Sequence, residues 1–496
     1  GELGMTEHGK EPEKLDWRLD GICLILLAIV GFLLRATPEL QVQGLPIGYD
    51  VGTAYLKAVL ELDSGQNYLT LASLWPGQSL LYVIFQITKV FFHGDPVGLI
   101  KVVGVALFLF TNSAAYIFLR KGLRLDYKPA LIATLLYMLD LGTLRISWDL
   151  FRNELALGFL FLGLTSLLRS EEDSQTIKQL GFAILWFALV LVSHQIVSVL
   201  LLVLAGIYVL QRFRPIGLWV LGAGFAGLFL LPLASKLSIA GSPILDTVVG
   251  PMDRVEPAVF LGFLYLLQIP FVIIGLLVGL KRLTQSAYMV LAGWMLFVLL
   301  IVVSSVVFYP NTFLLWDRWS YLLPLPMAVF TFLGIEYVST LNPLRLVGST
   351  AVSFLLVAIL CYRGPSFALN PQVDRESIPH ASFPSSLSQT SVGYEKQHDA
   401  YERLVRATDR LPDKSVLVVA SRYRGIIDLW GIKPTLRIIQ SDLEDDQSVQ
   451  SLIEQLSTEQ QPVFVFDAHR IRTIVDTRQF VHFGAHSIVQ LLFAVE

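Results

Sequence analysis

Apolar runs long enough to cross a bilayer recur through the first 362 residues, and few folds accommodate so many. A membrane-spanning helix needs about 17–25 mostly apolar residues. Runs of that kind lie near 19–36, 97–119, 129–146, 152–168, 215–235, 257–280, 286–308, 319–340 and 344–362. The run 179–211 is too long for one crossing and breaks at Ser193, His194 and Gln195, which predicts two short helices back to back. Eleven crossings are therefore expected. Charged residues make up only 16% of the chain, against about a quarter in soluble domains. A multi-pass cell-membrane protein follows. The net charge of −3 suggests no nucleic-acid partner. Cys23 and Cys361 both lie in apolar runs and form neither a disulfide framework nor a metal cluster.

The segment 76–92 has the length of a span but carries Gln78, Gln86, Thr88 and Lys89. Charge decides its placement, because cytoplasmic loops are rich in Lys and Arg. With the N-terminal segment 1–18 inside and 76–92 lying in the outer leaflet, the cytoplasmic side collects fourteen Lys and Arg, including Arg120, Lys121, Arg124 and Lys128, and the outside seven. If 76–92 crossed, the 120–128 cluster would face outward. The expected fold is thus a polytopic α-helical membrane domain over 19–363 with a long first outer loop, 37–96. A Ser- and Pro-rich linker, 364–394, leads to a small extracytoplasmic α/β domain over 395–496. In that tail Val416–Ala420, Leu436–Gln440, Val463–Asp467 and Ile488–Val495 read as strands, with amphipathic stretches such as 446–457 between them, and predict a mostly parallel sheet.

This topology gathers a set of polar residues at the outer face. Tyr49 and Asp50 lie on the first loop, after Gly44, Pro46 and Gly48. Arg145, Asp149, Arg152, Asn153 and Glu154 join the third and fourth spans, His194 sits in a tight hairpin, and Asp317 and Arg318 open the tenth span. Asp246, Asp253, Arg254 and Glu256 precede the eighth. Ionisable groups at membrane depth are costly and mark function by default. Each has a plainer reading. Asp50 would cap a helix from Thr53; Asp149 and Glu154 would form a capping box for the fourth span; Arg152 and Arg318 would snorkel to headgroups. His194 would be a polar turn residue, and Trp148, Trp316 and Trp319 an interfacial aromatic belt. No Walker loop, nucleophile elbow or His-Glu-x-x-His motif is present.

The arrangement resembles the GT-C superfamily of integral-membrane glycosyltransferases, which use polyprenyl-phosphate-linked sugars. The likeness rests on Gly48, Tyr49 and Asp50 in a long first outer loop, the Pro-led segment Trp75 to Tyr82, the loop Trp148 to Glu154, and the stretch Arg318 to Pro326. The segment Ala420 to Gly431 is similar to the soluble domains of prokaryotic members. The order is also similar to the oligosaccharyltransferase catalytic subunit, with an acidic motif after the third span and a late Arg on the lipid phosphate. The chain departs from that subunit at Arg152, where the motif has Asp before its Asn-Glu pair. A metal site of that type, and peptide glycosylation, are therefore not implied.

The resemblance implies sugar transfer from a polyprenyl-phosphate donor to a glycan, lipid or protein acceptor, in contact with membrane lipids. Asp50 would be the general base, and Arg318 and Arg152 the phosphate clamp. Tyr49, Asp149, Asn153, Glu154, His194 and Asp317 would line the substrate site. No cofactor is fixed by the sequence; a divalent cation, Mg²⁺ or Mn²⁺, is the one that Asp50, Asp149 and Glu154 would take. The rival readings are a transporter or lipid flippase, in which the polar groups line a pathway, and a non-catalytic GT-C-like subunit of a membrane complex.

Overall fold

The computed structural model describes residues 17–41, 46, 51–63, 65, 67–69, 80–92, 94–171, 176–212, 215–224, 226, 256–307, 316–340, 413–420, 435–441, 463–466 and 475–476. The chain folds into helices first. These are α1 (Trp17–Gln41), α2 (Leu56–Asp63, entered through a π-turn at Val51–Tyr55), α3 (Leu80–Thr88) and α4 (Pro96–Ile117). They continue with α5 (Tyr127–Leu139), α6 (Leu141–Asp149), α7 (Phe151–Arg169), α8 (Thr176–Leu191), α9 (Gln195–Arg212) and α10 (Pro215–Gly224). The last are α11 (Glu256–Tyr265), α12 (Ile269–Arg282), α13 (Gln285–Val307), α14 (Trp316–Ser320) and α15 (Pro324–Thr340).

Among the described residues four helices are long and apolar enough to cross a membrane: Trp17–Leu40, Pro96–Gly122, Phe151–Arg169 and Gln285–Ser304. A fifth crossing exists if α5 and α6 count as one span, bent by 62°. The expected span 129–146 is thus broken. Asp140 breaks it: its backbone is extended at ψ 133, and its side chain accepts the Gly142 N–H at 2.8 Å, starting a new helix. The expected span 257–280 is also broken, at Leu266–Gln268, and Pro270 opens α12. The run 179–211 divides at Val192–His194 as the sequence suggested. The segment 80–91 is helical but, at about 1.5 Å per residue, too short to cross. The expected span 344–362 lies outside the described residues.

Packing fixes which ends meet. Gly275 on α12 faces Phe330 on α15, where a Cβ would overlap the Phe330 carbonyl oxygen; Gly334 meets Phe271 in the same way. Glycines there let two backbones touch, as membrane helix pairs require in the absence of a hydrophobic drive between them. Trp148 and Trp319 are buried, not interfacial. Trp319 stands edge-on to Phe297 with centroids 5.5 Å apart. At one end of the bundle Asp20, near the start of α1, accepts from Tyr116 at 2.7 Å and from Arg120 at 3.0 Å. The site lies at the other end, about 20 Å along α1. There Val51, Tyr55, Leu56 and Val59 of the first-loop helix pack against Phe85, Val103, Phe151 and Leu155.

In the tail, β1 (Val416–Ala420), β2 (Arg437–Ser441), β3 (Val463–Phe466) and β4 (Val475–Asp476) form one sheet in the order β2-β1-β3-β4. β1 is parallel to both neighbours, Val418 lying opposite Ile439 and Val465, and β4 is antiparallel to β3. Three of the four described strands thus pair in parallel, as in the mostly parallel sheet expected. The strand expected at Ile488–Val495 and the helices expected between strands lie outside the described residues.

Candidate active site at the α6–α7 corner

α6 ends at Asp149 and α7 begins two residues later, after a single non-helical residue, Leu150 (φ −111, ψ 54). Leu150 is the N-cap of α7 and makes no side-chain cap, so neither Asp149 nor Glu154 acts as half of a capping box. Asp149 instead accepts a charge-assisted bond from Arg145, one turn back on α6, at 2.6 Å, with both side chains buried. The Arg145 guanidinium lies 5.8 Å from the centre of the Tyr321 ring. Asn153 and Glu154 are buried, and Asn153 Nδ2 and Glu154 Oε2 have no hydrogen-bond partner among the described residues. Such atoms are rare in folded interiors and suit a site that receives a ligand.

The first-loop helix meets this corner. Tyr55 is buried and stacks on Phe151, with centroids 5.3 Å apart and planes 15° from parallel. The Arg152 guanidinium lies over the other ring, 5.9 Å from the Tyr55 centre. From a third direction comes the α8–α9 turn, tied to α3 where the Leu80 N–H reaches the Val192 carbonyl at 3.5 Å. His194 in that turn is half-buried, and its Nδ1 has no hydrogen-bond partner among the described residues. Burial, then the positive charges of Arg152 and Arg318, hold its imidazole well below the usual histidine range. Arg318, on α14, lies within electrostatic reach of Arg145 as well as His194. Two guanidinium groups from separate elements, Arg152 and Arg318, thus act on the His194 imidazole, and Arg318 also reaches Arg145.

Several expected residues are not among those described. Tyr49 and Asp50 lie outside the described residues, as do Asp246, Asp253 and Arg254 and the side chains of Glu256 and Asp317. Val51, which follows Asp50 in the chain, is fully buried in the first-loop cluster.

A second polar group escaped the sequence reading. Arg35, on α1, is 0% exposed. Its Nε donates to the Ser147 carbonyl at 3.0 Å and its Nη1 to Glu39 Oε1 at 2.6 Å. Lys101 Nζ donates to the Glu39 carbonyl at 2.6 Å. Arg35 is also the cation whose charge reaches Glu154. The available signal was an Arg and a Glu four residues apart near the end of an apolar helix, where each alone would be expensive.

The described residues do not by themselves fit a divalent cation. No three His, Cys, Asp or Glu side chains among them lie close enough to hold one, and the Asp149 carboxylate already faces Arg145.

Comparison with known proteins then bears on the fold. No protein-family model matches the chain, and no curated protein matches it. Among solved structures, it is similar to the oligosaccharyltransferase of Archaeoglobus fulgidus in its apo form, with a TM-score of 0.50 and 14% identity. That match covers 84% of this chain and 64% of the other, just under two thirds of the neighbour. The same archaeal enzyme in complex with zinc and sulfate aligns with a TM-score of 0.45 and 13% identity, over 84% of this chain and 62% of that one. The first likeness is one of fold: the chain is folded distantly like that archaeal enzyme.

Proposed function

We propose that this protein is a membrane glycosyltransferase that moves a sugar from a polyprenyl-phosphate carrier to a glycan, lipid or protein acceptor at the outer face of the cell membrane. The observation that carries the reading is that Arg152 on α7 and Arg318 on α14 both lie within electrostatic reach of His194, in a fold similar to that of a solved oligosaccharyltransferase. A guanidinium offers a planar fork of donors that matches a phosphate's oxygens. Ligands held between spans give a reason for the enzyme to be embedded in the bilayer.

In this reading the donor's lipid tail lies among the helices and its phosphate sits between Arg318 and Arg152. The acceptor hydroxyl gives its proton to the Asp50 carboxylate as its oxygen bonds to the anomeric carbon. The bond from that carbon to the phosphate oxygen breaks, and the electron pair leaves with the polyprenyl phosphate. The arginines stabilise the charge that develops there. Asp149, held by Arg145, keeps the α6–α7 corner in place, while Tyr49, Asn153, Glu154, His194 and Asp317 line the sugar and acceptor space. The eleven-span topology, with the tail domain outside, belongs to the same reading.

Asp50→Asn tests it. A general base contributes about 10²–10⁴-fold in rate. The purified variant is expected to bind a polyprenyl-phosphate sugar as the parent does and to release polyprenyl phosphate slower by about that factor. Unchanged turnover would remove Asp50 from the mechanism. Donor binding without turnover in the parent itself would favour the non-catalytic subunit.

A further inference from the structure

Four planar groups lie in a row between the first span and the candidate phosphate clamp. The Arg35 guanidinium is 5.8 Å from the centre of the Phe151 ring. Phe151 stacks on Tyr55 at 5.3 Å, and Tyr55 carries the Arg152 guanidinium at 5.9 Å. Both rings and Arg35 are buried. We infer that the Arg35–Phe151–Tyr55–Arg152 stack is a positioning device that sets the Arg152 guanidinium for a substrate anion, with Arg35 and Tyr55 as its positioning residues.

Three observations carry this. First, Arg35 is anchored at the end away from Arg152. It bonds the Ser147 carbonyl, one of the last four of α6, which an α-helix leaves unsatisfied. Its Nη1 is pinned by Glu39, whose own backbone carbonyl takes Lys101. The base of the stack is therefore fixed to α1, α4 and α6 together.

Second, α4 makes room for the stack. A Cβ on Gly104 would lie 2.6 Å from Phe151 Cζ and 2.7 Å from Arg35 Nη2, so a larger residue would push both members out of line. Third, the aromatic members come from different parts of the chain. Phe151 adjoins Arg152 on α7, whereas Tyr55 arrives from the first outer loop, five residues after Asp50. The faces of aromatic rings attract cations most strongly where water is excluded. A flexible arginine placed on such a face loses less freedom when it meets an anion. The stack thereby couples the loop that carries the proposed base to the clamp that holds the phosphate.

The inference rests on the reading that Arg152 meets a phosphate. Binding of geranylgeranyl phosphate, a prenyl phosphate that disperses in detergent, to the purified full chain tests both. Tyr55→Leu removes a ring. Arg35→Met with Glu39→Met removes the anchor and its partner at once, so neither member of that buried pair is stranded, and Lys101 keeps the backbone carbonyl of residue 39. Each variant, at an unfolding temperature close to the parent's, is expected to bind about tenfold more weakly. Tyr55→Phe, which keeps the ring, should bind nearly as the parent does; a role limited to packing would not separate affinity from stability in this way.

The two perturbations lie at different places in the stack, so either one, folded, decides the question. Parent-like affinity in a folded Tyr55→Leu or in the double variant would overturn the inference and leave the phosphate reading standing. A parent chain that does not bind the probe at all would overturn both.

Discussion

Removing one member of the Arg145–Asp149 pair should destabilise the protein far more than removing both. The two side chains are 5% and 1% exposed and their atoms are 2.6 Å apart. At an effective dielectric of about 20, unit charges at that distance attract by roughly 6 kcal/mol, and the cost of taking both from water offsets much of it. Asp149→Leu alone takes the carboxylate from beside the buried Arg145 guanidinium, which Arg318 also repels, and a cost of about 3–5 kcal/mol is expected. Arg145→Met alone strands the carboxylate at a similar cost. The double variant replaces an ion pair with apolar side chains of similar volume and should lie within about 1–2 kcal/mol of the parent. SDS titration of purified protein in detergent, followed through its helical signal, gives the four stabilities of the cycle. Single-variant costs that simply add in the double variant, or single variants as stable as the parent, would refute the buried-pair reasoning.

Three further outcomes follow from the same geometry. His194 has a folded-state pKa below its unfolded value near 6.5, so above that pH its imidazole is neutral in both states and costs nothing. As pH falls through about 6.5 the unfolded chain takes the proton first, so stability should decline there; His194→Gln should flatten that decline between pH 7.5 and 5.5 in thermal unfolding, and an unchanged profile would contradict the assignment. Gly275→Leu should cost several kcal/mol in the same SDS titration by forcing α12 from the Phe330 carbonyl, whereas an exposed-face Leu277→Ala should cost little. A cysteine placed within 395–496 should react with an impermeant reagent on intact cells; full protection would invert the proposed topology.

The sequence disclosed what periodicity and length carry. Apolar runs located most helices, the break at His194 followed from a run too long for one span, and Val416–Ala420 and Val463–Asp467 read as strands because they are short apolar runs. It did not disclose the break at Asp140, because a lone Asp within an apolar run looks the same whether it caps a new helix or faces a neighbour. Trp148 and Trp319 were misplaced at the interface for a related reason: composition does not say which face of a helix meets lipid. The site was half legible. Arg145, Asp149, Arg152, Asn153, Glu154, His194 and Arg318 were picked out as polar groups between spans, and in the described residues Arg152 and Arg318 lie within electrostatic reach of His194. The partner of Asp149 was not foreseen, since the i,i+4 spacing to Arg145 competed with a helix-start pattern that fitted equally well. Arg35 and Tyr55 were missed because their roles depend on contacts between distant parts of the chain, as between Arg35 and Ser147 or Tyr55 and Phe151.

The central claim is that the arginines at the α6–α7 corner and on α14 receive a lipid-linked phosphate. A cryo-electron microscopy structure of the full chain with a bound polyprenyl phosphate tests it most directly. The account predicts phosphate oxygens within about 4 Å of the Arg318 and Arg152 guanidinium groups, with the prenyl chain leaving between the spans. A phosphate bound elsewhere, with both arginines turned away from it, would contradict the account.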